Sequence, residues 1–134
     1  MTAPILKLEH EDARGAIYSI TLDGDKELIL LHSKKGSLRG GHSHDVNEIN
    51  VLLTGKMKYL KERGEGTYKY TETLNGGTAS YNHIGEYHLA EFLEDSWVLE
   101  WKINTSKGKW KNIDHAAWRE RVKENATTGD RVTP

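Results

Sequence analysis

Short runs of apolar residues alternate with turn-forming residues along most of the chain, the pattern of an all-β domain. Ile17, Tyr18 and Ile20 mark one predicted strand, followed by a turn at Asp23–Gly24–Asp25. Residues 27–32 form a second, with four consecutive apolar residues from Leu28 to Leu31, and Lys34–Lys35–Gly36 ends it. Residues 49–53 form a third, resumed by 56–60 beyond a bulge or turn at Gly55. Residues 61–66 read as a charged loop, and 67–73 as a strand with Tyr68 and Tyr70 on one face. Asn75–Gly76–Gly77 is the clearest turn signal. Residues 87–93 and 97–103 make a last pair around Glu94–Asp95. In the second of these, Trp97, Leu99, Trp101 and Ile103 share one face, and that face is expected to pack the core.

The pattern changes after residue 103. Asp114 is placed to cap a short C-terminal helix over 115–124, in which Trp118 and Val122 stack at i, i+4. Residues 126–134 read as a flexible tail. With no internal repeat and no linker, the 134 residues predict one domain, 1–125, with its core at about 30–103. A chain of this size buries roughly two-thirds of its unfolded surface, enough for one continuous core.

Composition changes this picture mainly by exclusion. Only 36% of residues are hydrophobic, but four Trp, six Tyr and one Phe supply bulk, so the chain is not read as disordered. Nineteen basic and twenty acidic residues leave a net charge of −1, which gives no electrostatic footprint for nucleic acid. Lys58, Lys61, Glu62, Arg63 and Glu65 read as a solvated surface of mixed charge. The absence of Cys removes disulfides, thiolate metal sites and cysteine nucleophiles, and fits a reducing, cytoplasmic setting. The first residues lack a basic stretch followed by an apolar core, so no signal peptide is expected. No apolar run approaches the ~20 residues of a membrane span, and no membrane partner is expected.

Chemistry concentrates between residues 42 and 48. His42 and His44 lie two apart and project to one face of a strand, and Glu48 has the same parity. Neutral imidazoles and a carboxylate suit a borderline divalent metal, with a further ligand to come from elsewhere in the fold. Asn50 shares the parity of Glu48 and is a candidate hydrogen-bond donor to a substrate, or a structural one. Tyr59, Tyr81 and Tyr87 are within reach of a pocket, with core or rim packing the simpler expectation. Arg39 has the opposite parity to His42 and should face outward unless a bulge at Gly40–Gly41 re-aims it. Glu100 should be at the surface if the Trp97–Trp101 face packs the core. In the reversed arrangement it is a buried acid near the metal and a general-base candidate. His10, His32, His83 and His115 are expected at the surface.

These residues stand in motifs that resemble those of the cupin family. The first cupin motif is Gly, five residues, His-x-His, three or four residues, Glu, six residues, Gly. It is matched by Gly36, His42, His44, Glu48 and Gly55. The second is Gly, five residues, Pro-x-Gly, two residues, His, three residues, Asn. It is matched at Gly77, Gly85 and His88, with His83 in place of the Pro and Phe92 in place of the Asn. The resemblance covers about residues 30–103. It implies a small jelly-roll β-barrel with His42, His44, Glu48 and His88 around one divalent metal, Mn, Fe, Ni or Zn. Three imidazoles and one carboxylate leave positions open for water or substrate. The expected function is that of a small metal-dependent enzyme, an isomerase, lyase or oxygenase, acting on a small polar molecule, with a sugar-like one among the candidates. The alternative is a non-catalytic metal- or ligand-binding module in a homo-oligomeric scaffold. A homodimer is expected, joined through the opening segment and the Trp110–Trp118 region.

Overall fold

The computed structural model describes residues 3–63 and 68–127. Residues 64–67, within the expected charged loop and the start of the Tyr68 strand, and residues 128–134 of the expected tail lie outside the described residues. In chain order the elements are β1 (Ile5–Asp12), β2 (Gly15–Thr21), β3 (Glu27–Ser33), β4 (Leu38–His44), β5 (Glu48–Thr54), β6 (Lys56–Arg63), β7 (Tyr68–Asn75), β8 (Thr78–Asn82), β9 (Glu86–Phe92), β10 (Ser96–Lys102), β11 (Asn112–Asp114) and α1 (Ala116–Thr127). The alternation alone does not predict β1, β4, β8 and β11, and β4 is foreseen only through the spacing of His42 and His44. The helix begins at the residue after His115 and reaches Thr127.

The strands form two antiparallel sheets, one in the order β1-β2-β3-β10-β5-β8 and the other in the order β11-β4-β9-β6-β7. Face to face they make a jelly-roll sandwich, with Leu31, Leu52, Met57, Tyr59, Leu74, Ala90, Phe92 and Val98 packed between them. Helix α1 covers the outer face of the second sheet, where Trp118 and Val122 pack on Leu60 and Leu89. Strand β6 is therefore buried on both faces in its middle. That is why Lys61 and Glu62, expected in solvent, are buried. The Lys61 ammonium donates to Tyr81 O at 2.7 Å, and Glu62 accepts the Trp118 indole N–H at 2.7 Å.

Two local features decide which side chains face inward. Strand β10 lies opposite to the expected orientation: Val98 is buried while Trp97 and Trp101 are exposed. Its register explains this. Val98 pairs with Leu31 and Leu52, Glu100 with Ile29 and Asn50, and Lys102 with Glu48, so the even positions share the inner face. Burying the aromatic face would have turned the Asn50 and Glu48 face of β5 to solvent as well.

The second feature is a bulge in β4. Arg39 pairs with Ala90, Gly40 with Leu89 and His42 with His88, so Gly41 is an extra residue. The additional residue brings Arg39 and His42, of opposite parity, to the same face. Gly40 and Gly41 have φ of 103° and 83°. A Cβ on Gly40 would lie 2.7 Å from the His88 carbonyl oxygen.

Candidate metal centre and pocket

The inner faces of β4, β5, β6, β8, β9 and β10 bring polar side chains to one region of the sandwich. His42 and His44 come from β4, and pairing of His42 with His88 brings β9 alongside. The three imidazole centroids lie 4.7 to 4.9 Å apart. One ligand nitrogen from each can be chosen so that all lie within 4.8 Å of one another. His44 and His88 are buried. Burial lowers the pKa of His42 to about 4 and that of His88 to about 3. Both rings are therefore neutral at pH 7 and offer lone pairs without first losing a proton.

This donor set fits a divalent metal. Neither ring nitrogen of the buried His44 makes a hydrogen bond among the described residues, and a buried polar atom left so normally has a partner to find. His88 Nδ1 donates to Glu86 O at 3.3 Å, which leaves Nε2 as the free donor atom.

Glu48 stands beside the triad. It is fully buried, and Oε2 lies 3.3 Å from His44 Nε2 and 2.7 Å from the Lys102 ammonium. Oε1 accepts hydrogen bonds from the amides of Asn50 at 3.0 Å and Asn82 at 2.8 Å. Burial alone would raise its pKa, but His44 and Lys102 outweigh burial and hold it well below the usual carboxylate range. Lys102, 8% exposed, keeps its charge although burial opposes it, because Glu100 and Glu48 raise its pKa. It also lies 4.1 Å from the Trp110 ring centroid. Parity with Val98 and Glu100 would have pointed to Lys102 in the sequence had the face of β10 been assigned correctly.

The centre opens into a cavity of about 340 Å³ lined by His42, His44, His88, Asn50, Tyr59 and Glu100, among others. Asn50 and Asn82 also donate to the Tyr59 hydroxyl, at 3.1 and 2.6 Å. Tyr59 has its pKa raised well above the ordinary value by burial and by the Glu48 charge. Glu100 is partly buried and inward-facing, not at the surface as expected. Burial and repulsion from Glu48 raise its pKa.

Ile29, Leu31, Met57, Phe92 and Val98 add an apolar part to the cavity lining. Arg39 belongs to the lining too, also contrary to expectation, because of the β4 bulge. The remaining histidines divide. His10 and His83 are exposed, and His32 stacks on Trp97 with centroids 4.5 Å apart. His115 is anchored, 2.8 Å from Ser43 Oγ and stacked on Tyr87 at 3.6 Å. Of the other tyrosines, Tyr81 is exposed and Tyr87 packs under α1.

No family model and no curated protein matches the sequence. Solved structures do match. CapF, the capsular polysaccharide assembling protein of Staphylococcus aureus, superposes with a TM-score of 0.66 at 17% identity, over 85% of this chain and 33% of CapF. Oxalate decarboxylase of Bacillus subtilis gives 0.60 at 16%, over 94% of this chain and 35% of that one. The chain thus spans about a third of each of these proteins. KdgF from Halomonas sp. gives 0.58 at 19%, over 70% of this chain and 82% of KdgF. The fold is that of the cupins. In this sandwich the inner-facing histidines form a triad able to hold a metal ion. No helix among the described residues is long and apolar enough to cross a membrane.

Proposed function

We propose that this cupin is a metal-dependent enzyme acting on a small polar molecule. The observation that carries the reading is the convergence of three imidazoles, at least two of them held neutral, at the wall of a cavity. His42, His44 and His88 would hold the metal, with Glu48 as the fourth ligand. A bound metal would supply Lewis acidity and acidify a coordinated water. Around it, Asn50, Asn82 and Lys102 orient Glu48, and Glu100 is placed to hold and release a proton inside the cavity. A volume of about 340 Å³ is at the small end of ligand pockets.

The structural neighbours support parts of this reading. The oxalate decarboxylase of Bacillus subtilis carries Mn(II) centres, which favours Mn among Mn, Fe, Ni and Zn. CapF is named for capsular polysaccharide assembly, which favours a sugar-like substrate. Elemental analysis of untagged protein is expected to find close to one metal per chain, and fewer than one in ten chains would overturn the reading. Water-proton relaxation of the Mn-loaded protein separates the enzyme from a non-catalytic module. An exchanging water on the metal is expected, and a shell closed to water would favour the module.

The protein is further proposed to be a homodimer, but not through Trp110 and Trp118. Those rings are engaged internally, with Lys102 and His44 and with Glu62. The outer face of the β1-to-β8 sheet fits better. Its register lines up Leu6 and Leu8, Tyr18 and Ile20, Leu28 and Leu30, Trp97, Leu99 and Trp101, Ile49 and Val51, and Tyr81. None of these is charged, and Leu6, Leu8, Trp97, Trp101 and Tyr81 are exposed. Six strands spaced by about 4.8 Å, each rising about 24 Å, make a face of about 700 Å². Two copies of that face bury about 1,400 Å² together, the size of a stable interface. Light scattering is expected to give twice the 15.2 kDa chain mass, and Trp101→Glu to give the monomer. A wild-type monomer at high concentration, or a Trp101→Glu dimer, would contradict this.

A further inference from the structure

We infer that residues 111–119 form a clasp on the back of the strands that carry the imidazoles, so that docking of the clasp and binding of metal strengthen one another, with His115 as the positioning residue at its centre. The inference rests on the proposed metal site and extends it to residues that never touch the metal.

The contacts of the clasp interleave with the imidazoles along the chain. His42 and His44 face the cavity, so Ser43 between them points to the opposite side of β4. There Ser43 is buried, and its Oγ shares a hydrogen bond with His115 Nε2 at 2.8 Å. The His115 ring also stacks on Tyr87, the residue before His88, with centroids 3.6 Å apart. One side chain therefore touches the chain neighbours of all three imidazoles. The main chain is held at the same points. The His115 amide donates to Gly41 O at 3.0 Å, and Arg119 Nη1 donates to the same carbonyl at 3.3 Å. Beyond His44, the Lys111 amide donates to Asp45 Oδ1 at 2.8 Å and the Asp45 amide to Lys111 O at 3.3 Å. Between these points β11 pairs Asn112 with His44, Ile113 with Ser43 and Asp114 with His42.

The chain is shaped for this contact. Gly41, the extra residue of the β4 bulge, has no side chain to keep Arg119 away: a Cβ there would lie 2.5 Å from Arg119 Cδ. Arg119 Nη1 also donates to Asp114 Oδ1 at 2.6 Å, which holds the side chain across Gly41. The helix end of the clasp is fixed in turn by the Trp118 indole, which donates to Glu62 and packs on Leu60 and Leu89. Without β11, strand β4 would be the edge of its sheet, paired with β9 alone. Two of the three imidazoles would then project from an edge strand, and such strands open locally at low cost. A metal ion needs its three nitrogens at a fixed separation, so a strand held on both sides binds it better than one free to shift. The coupling is reciprocal: the factor by which the clasp raises metal affinity is the factor by which metal favours docking of the clasp.

The test uses the full chain and Co(II), whose visible spectrum reports binding independently of any turnover. His115→Ala is expected to weaken Co(II) binding by at least about fivefold, the lower end of ordinary coupling between sites. Ser43→Ala, which loses the hydrogen bond and keeps the stack on Tyr87, should weaken it by less. In the wild-type protein, hydrogen exchange of the His115 and Arg119 amides is expected to slow by at least about fivefold when Co(II) replaces chelator. The amides of β1, at the far edge of the other sheet, should change less. A merely structural role would lower the melting temperature of His115→Ala and leave its Co(II) affinity at the wild-type value, and that result overturns the inference. So does equal exchange of residues 111–119 with and without Co(II). Should His115→Ala fail to fold, the exchange measurement on the wild-type protein decides. A wild-type protein that takes up no Co(II) would instead overturn the metal reading on which the inference rests.

Discussion

His44→Ala is expected to leave a folded chain that no longer holds metal. The imidazole is buried, and its polar contact with the protein is Nε2 to Glu48 Oε2 at 3.3 Å, a carboxylate that Lys102, Asn50 and Asn82 still hold when the ring is removed. The metal loses one of three convergent nitrogens. Altering an outer-shell partner alone costs about 10–100-fold in metal affinity, so deleting a ligand should exceed about 100-fold. The signature is twofold. Metal content falls to background, and the melting temperature, which chelator lowers in the wild-type protein, becomes insensitive to chelator. Undiminished metal content in the variant would remove His44 from the site.

Acid should act on the same imidazoles. In the metal-free protein His42 and His88 titrate near 4 and 3, against about 6.5 in the unfolded chain. Between those values the unfolded chain binds more protons than the folded one. Their contribution to stability is therefore full above about pH 6.5 and is lost progressively as the pH falls, through about 4 for His42 and on to about 3 for His88. Metal competes with protons for the same nitrogens and should widen the difference between loaded and metal-free protein at neutral pH.

The sequence made His42, His44 and Glu48 legible as a same-face group because their spacing obeys strand parity. His88 was found only through the spacing of the second motif. For β10 the difficulty lies in parity itself. Parity says which residues share a face but not which face is inside. Strand β10 has aromatic residues on one side and Val98, Glu100 and Lys102 on the other, so hydrophobicity chose the wrong side. Its neighbours decided the matter, since β5 offers Glu48 and Asn50 to whatever lies across from Glu100 and Lys102. An apolar outer face does not contradict the hydrophobic effect if a second subunit covers it. Arg39 was misplaced for a different reason: one additional glycine inverts parity, and only the register with β9 reveals it. Glu62 looks like a surface residue in the sequence because nothing local announces that α1 will return to cover β6, and Lys61 does because its inward acceptor, the Tyr81 carbonyl, lies twenty residues away in the other sheet.

Lys102→Met is expected to destabilise the metal-free protein and to make it depend on metal. The Lys102–Glu48 pair is buried at 2.7 Å, and removing one partner leaves the other as an uncompensated charge, typically at a cost of about 3–5 kcal/mol. Urea unfolding of the chelated variant should show a loss of this size. Lys102→Met combined with Glu48→Gln should recover most of it, because both charges are then gone. Stability equal to wild type in the single variant would mean that the pair contributes nothing. Metal supplies the positive charge that Lys102 gave up, so the loaded variant should recover more stability on metal binding than the wild-type protein does. The same pair of substitutions tests whether Glu48 belongs to the coordination shell. If it does, Lys102 competes with the metal for Oε2. Lys102→Met then tightens metal binding, and Glu48→Gln weakens it by a factor comparable to His44→Ala. If the three imidazoles hold the metal alone, Glu48→Gln leaves affinity near that of the wild-type protein, and the carboxylate serves to keep Lys102 charged beside the cavity.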